Sequence, residues 1–72
     1  MVKAIVLVKS PKKLIAAKLK QLNLVYTSFP VTGQFDAVAV IQVESLAQIK
    51  DITTQIQRIN GVERTETMIE VQ

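Results

Sequence analysis

Residues 2–8 and 37–43 are short, β-branched runs that stay apolar on both faces of an extended chain. Side chains alternate along a strand, so Val2, Ala4, Val6 and Val8 point one way and Lys3, Ile5, Leu7 and Lys9 the other. In the second run Ala37, Ala39, Ile41 and Val43 oppose Val38, Val40 and Gln42. Strands with apolar residues on both faces belong at the centre of a sheet. Two such strands in 72 residues leave room for one small domain, spanning residues 1–72, and for little else.

The remaining segments supply two helices and two outer strands. Ser10-Pro11 follows the first run and predicts a helix start, with serine as cap and proline at the first helical position. Ile15, Leu19 and Leu22 recur at helical spacing, with Lys13, Lys20 and Gln21 away from them, and Asn23 is a stop. Leu24 to Thr32 reads as a strand, and Pro30 within it assigns that strand to a sheet edge. Gly33-Gln34 marks a turn into the second apolar run. After that run, Ser45-Leu46-Ala47-Gln48 fits a capping box. Leu46, Ile49, Ile52, Ile56 and Ile59 then form one stripe, opposite Lys50, Asp51, Thr54 and Arg58. Asn60-Gly61 predicts a left-handed helix end, and Val62 to Val71 makes the last strand.

The order is β-α-β-β-α-β. It implies a ferredoxin-like α+β sandwich, a four-stranded antiparallel sheet with two helices on one face. Right-handed crossovers lead us to expect the first and third strands side by side and parallel. The second and fourth then lie antiparallel at the edges. Those edges carry Tyr26, Thr27, Ser28, Pro30, Glu63, Arg64, Glu66 and Glu70, in keeping with solvent contact.

Two helices cover one face of such a sheet. Ile5, Leu7, Val38 and Val40 then form an apolar patch on the other, which a monomer seldom leaves in water. A chain this short buries only about 60% of its unfolded surface, and 49% of its residues are hydrophobic. A second copy meeting the patch sheet to sheet, in a two-fold dimer, is the simplest remedy. Long edge side chains folding over the patch, or a strand assignment off by one residue, are the alternatives.

Composition removes several functions. There is no cysteine and no histidine, so thiolate metal sites and the usual general base are excluded. No serine or threonine has a histidine to activate it, and no carboxylate pair stands at a catalytic spacing. We expect no catalytic residues, no metal and no cofactor. The longest apolar runs, Ala4–Val8 and Ala37–Ile41, fall far short of the roughly 20 residues of a membrane span or a signal-peptide core. A soluble, cytoplasmic protein is expected, with no membrane partner. Residues 1–20 hold six lysines and no acid, for +6, and residues 21–72 sum to −3. The basic end could meet phosphate, or it could be a solvated helix face with strand-edge lysines that block unwanted pairing. No aromatics or arginines interleave with those lysines, which favours the second reading.

One segment stands out: Val31-Thr32-Gly33-Gln34-Phe35-Asp36. Gly33 permits a positive φ and close approach by a ligand. Consecutive amides in such a turn can converge on a carboxylate, and Asp36 can accept from an ammonium group. Together they suit the two charged ends of a free amino acid. The same residues also make an ordinary hairpin turn, with Phe35 in the core and Asp36 tying the turn down.

The hairpin and the strand after it resemble the glycine-x-aromatic-aspartate signature of the leucine-responsive/AsnC family of transcription regulators. The likeness is to their effector-binding, or RAM, domain. Gly61-Val62 and Thr65-Glu66-Thr67 are similar to the family's glycine-valine and threonine-x-threonine elements, and the likeness covers the whole chain. Asn60 stands where the family often has proline. The resemblance implies dimers of the dimeric α/β-barrel type that assemble into an octamer or similar ring. It implies a free amino acid effector between dimers, at Thr32, Gly33, Gln34, Phe35 and Asp36. There the backbone around Gly33 holds the carboxylate, Asp36 the ammonium, Phe35 the pocket wall, and Thr67 lines the site. No helix-turn-helix is expected with the domain. It is expected to act as the stand-alone version, without direct DNA binding, through assembly or a full-length family regulator. Its rivals are a structural adaptor whose loop binds nothing and a small dimeric ferredoxin-like enzyme.

Overall fold

A computed structural model describes residues 2–71. Six elements follow in order: β1 (Val2–Lys9), α1 (Ala16–Lys20), β2 (Val25–Pro30), β3 (Ala37–Val43), α2 (Leu46–Gln57) and β4 (Arg64–Ile69). They form the expected ferredoxin-like sandwich, one sheet in the order β2-β3-β1-β4. The edges are β2 and β4, as their polar residues require. Among the described residues no helix is long and apolar enough to cross a membrane.

The pairing of the central strands corrects one expectation. β1 and β3 are neighbours but antiparallel, with Val2 opposite Val43 and Val8 opposite Ala37. The crossover rule applies to the strands that a helix joins, β1 with β2 and β3 with β4. The short β2–β3 connection reverses direction, so β3 slots between β1 and β2 and runs against both.

Register sorts the side chains. Ala4, Val6 and Val8 of β1 join Ala37, Ala39, Ile41 and Val43 of β3 under the helices, packed with Ile15, Leu19, Ile49, Ile52 and Ile56. On the other face Ile5 lies beside Val40 and Met68, and Leu7 beside Val38 and Glu66. Phe29 flanks Val38 from β2, beyond a register shift between Val25 and Thr27.

The first helix departs from expectation. It has five residues and begins after Ile15, not at Ser10-Pro11. The Ser10 hydroxyl donates to the Lys13 carbonyl at 3.0 Å, and the Ser10 N–H is held elsewhere, so residues 10–13 form a turn. Leu22 therefore follows the helix, although it still packs on the core. The α2 stripe is buried at Ile49, Ile52 and Ile56, while Leu46 is exposed. Half of its capping box forms, and one residue early: the Glu44 N–H donates to Gln48 Oε1 at 2.7 Å, and the Ser45 hydroxyl caps nothing. The helix ends at Gln57, ahead of the positive-φ turn at Gly61. The last strand is shorter than residues 62–71, because its ends run beyond the ladder with β1.

Candidate functional site

The connection between β2 and β3 is closed by backbone. Val31 N–H donates to the Asp36 carbonyl at 3.0 Å, and Asp36 N–H to the Val8 carbonyl at 2.9 Å. This seats the loop on the end of β1. Gly33 turns the chain at φ +107°, and a Cβ there would meet nothing within 4 Å. The glycine serves conformation, with open space around it.

Between those two ties, the N–H groups of Thr32, Gly33, Gln34 and Phe35 donate no hydrogen bond among the described residues. Four successive donors thus lie at the tip, where Thr32, Gly33 and Gln34 are exposed and Phe35 is half-buried. Gln34 contributes its carbonyl instead, accepting from Lys9 Nζ at 3.3 Å.

Asp36 is anchored from a distance. Its Oδ2 accepts the Ser10 N–H at 2.8 Å, across 26 residues of sequence. An ionised carboxylate has about four acceptor sites, so this bond orients Asp36 and leaves it acceptor capacity. Phe35 is half-buried, and the Arg64 guanidinium carbon lies 5.2 Å from its ring centroid. At that distance the cation is attracted by the ring face, which ties the loop to β4.

Of the six residues expected at the site, Thr32 to Asp36 are together. Thr67 is not with them: it pairs with Val6 at mid-sheet, on the helix side. Within one chain the register therefore separates Thr67 from the loop. Beside Asp36 lies a cleft lined by residues 13–17 and Pro30. Helical spacing passes over it, because that spacing marks only the buried face of α1. Leu14, out of phase with Ile15 and Leu19, was the available signal.

The open sheet face carries the expected patch. Ile5 is 39% exposed, Leu7 and Val40 are half-buried, and Val38 is already covered within the chain. Phe29 and Met68 extend the patch from the edges. A shallow cavity of about 400 Å³ lies over Ile5, Val40 and Met68, with Lys3 and Glu70 at its rim. Among the described residues no three potential ligands gather around a metal site.

A ferredoxin-like sheet carrying a glycine-turned hairpin with open amides beside an anchored carboxylate is the frame of a small ligand-binding domain. This chain belongs to the Lrp/AsnC ligand-binding domain family, whose model matches residues 3–72. No curated protein sequence matches it at a significant level. A solved protein of Thermus thermophilus is 30% identical, with a TM-score of 0.92, covering 100% of this chain and 95% of that one. The leucine response regulatory protein of Mycobacterium tuberculosis is 24% identical, with a TM-score of 0.83 and coverage of 99% and 51%. A Neisseria meningitidis transcriptional regulator, solved in complex with L-Met, is 16% identical, with a TM-score of 0.82 and coverage of 99% and 50%. This chain thus corresponds to about half of each of those two regulators.

Proposed function

We propose that this domain is a non-enzymatic amino acid sensor that works as an assembly. The observation that carries the reading is the Thr32–Asp36 hairpin: four unpartnered amides for a carboxylate, next to an oriented carboxylate for an ammonium. The L-Met complex of the Neisseria regulator, which shares the fold, supports a free amino acid as the ligand class. Phe35 is held by Arg64 and acts by fixing the loop's shape. Thr67 joins the site only from another copy.

The open face, with Ile5, Leu7 and Val40 accessible over the covered Val38 and with Phe29 and Met68 at its edges, pairs with a second copy, and dimers build an octamer or similar ring with hairpins at their seams. Ligand bound at a seam shifts the assembly by its differential affinity for the associated states. The described residues include no helix-turn-helix. Any effect on transcription therefore runs through a DNA-binding element outside these 72 residues, in a full-length family regulator.

Calorimetric titration of the protein against the twenty amino acids tests this. At least one should bind to the wild type and not to Asp36→Asn, which keeps a side-chain acceptor for Ser10 but loses the charge. Equal binding by both proteins removes the ammonium contact. Binding of none leaves the adaptor as the reading.

A further inference from the structure

Two exposed patches of opposite charge lie at opposite edges of the molecule, each with apolar residues among its charges. Residues 10–24 hold Lys12, Lys13, Lys18 and Lys20 and no acid, and Leu14 among them is 94% exposed. The turn that projects Leu14 is fixed. The Ser10 hydroxyl donates to the Lys13 carbonyl at 3.0 Å, and the Lys13 stem lies over Gly61. At the other edge, residues 62–71 carry three glutamates against one arginine. Ile69 and Val71 stand exposed beside Glu66 and Glu70, Val71 at 88%. The Glu70 N–H donates to the Lys3 carbonyl at 2.9 Å, which keeps this end of the strand in place. Neither the four ammonium groups nor the carboxylates of Glu66 and Glu70 have a side-chain partner among the described residues.

We infer that these patches meet between copies: the basic patch of one chain docks on the acidic strand end of the next. α1 packs over β2 and β3, while β4 closes the far side of the β2-β3-β1-β4 sheet. The two patches therefore cannot meet within one chain. Charge and apolarity match together. The lysines face Glu66 and Glu70, and Leu14 is covered by Ile69 and Val71, which takes apolar surface out of water on both sides. A single exposed ion pair contributes little, but here several share one contact with apolar side chains that exclude water. A nucleic acid backbone would engage the lysines alone and leave Leu14 in water. The basic patch also has no arginine or aromatic residue to read bases. Because the two patches differ, the contact is heterologous and propagates until a rotation closes it into a ring. The inference rests on the reading that open sheet faces pair into dimers, and it names the seam that joins those dimers.

Exchange of charge tests the seam, read as mass by light scattering on the full chain. The wild type should exceed two chains. Lys12→Glu/Lys18→Glu and Glu66→Lys/Glu70→Lys, each alone, bring like charges together and should stop at two chains. Mixed in equal amounts they should recover the wild-type mass, because each altered patch then meets its opposite on the other variant. Leu14→Ser should weaken the association of dimers about tenfold, with circular dichroism unchanged. A wild type that stops at two chains overturns the seam and leaves the sheet pairing standing, and one that stays at a single chain overturns both. Either charge variant assembling alone as the wild type does, or a mixture that stays at two chains, also overturns the seam. So does random-sequence duplex DNA bound by the wild type and not by the lysine variant while assembly is unchanged, which assigns the lysines to a polyanion.

Discussion

Removing the Asp36 side chain tests whether the residue we propose for the ammonium contact also holds the loop. Asp36→Ala keeps both backbone ties, to Val31 and Val8, and deletes only the 2.8 Å bond from Ser10 N–H. Ser10 is buried, so its N–H loses its partner with little access to water. A hydrogen bond to a charged acceptor contributes about 1.5–3 kcal/mol, and an orphaned buried donor costs a similar amount. The pair is part-buried, so we expect a loss of about 2 kcal/mol for alanine. Asparagine retains an oxygen acceptor and should lose about 1 kcal/mol or less. In a domain of this size alanine then lowers the melting temperature by about 10 °C. Urea denaturation at several protein concentrations reads the difference, because association also contributes to apparent stability. An alanine variant within about 0.5 kcal/mol of wild type would refute the anchoring role.

Other changes probe the fold around the site. Ser28 is 1% exposed, and its hydroxyl has no partner among the described residues; Ser28→Ala should raise stability by about 1 kcal/mol in the same urea assay, by removing a desolvated polar group. Gly33→Ala and Gly61→Ala both force a positive φ on a side chain, at about 1–3 kcal/mol each. Gly61→Ala should cost more, because its Cβ would lie 2.9 Å from Lys13 Cδ. Thermal denaturation of Lys13→Ala/Gly61→Ala should show part of that excess recovered. Ile52→Ala, at a fully buried position, should lose about 2–5 kcal/mol by chemical denaturation.

Local sequence specifies those parts of the fold whose causes are local. The bounds of β3 at residues 37–43 are legible because its β-branched run has no competing helical pattern. The start of α1 is not, because Ser10-Pro11 has the composition of a cap. The Ser10 hydroxyl turns instead to the Lys13 carbonyl, while the Ser10 N–H is tied to Asp36, 26 residues away, a contact that no window of sequence contains. The direction of β1 against β3 follows from counting reversals along the chain, which crossover handedness alone does not do. The hairpin can be read because Gly33 and Asp36 sit within one short segment. The cleft behind it cannot, because it brings together Leu14, Pro30 and Asp36 only once α1 packs against β2. Leu46 fits its stripe by spacing but lies in the first turn of α2, beyond the sheet's cover.

The central claim is that the open sheet face is an interface. Light scattering coupled to size-exclusion chromatography at micromolar concentration measures this directly, on the wild type and on Val40→Lys. The wild type should show a mass of at least two 8.0 kDa chains, and the variant should approach one chain with its circular dichroism unchanged. A wild-type protein of 8.0 kDa would contradict the claim, and so would a variant that stays fully associated.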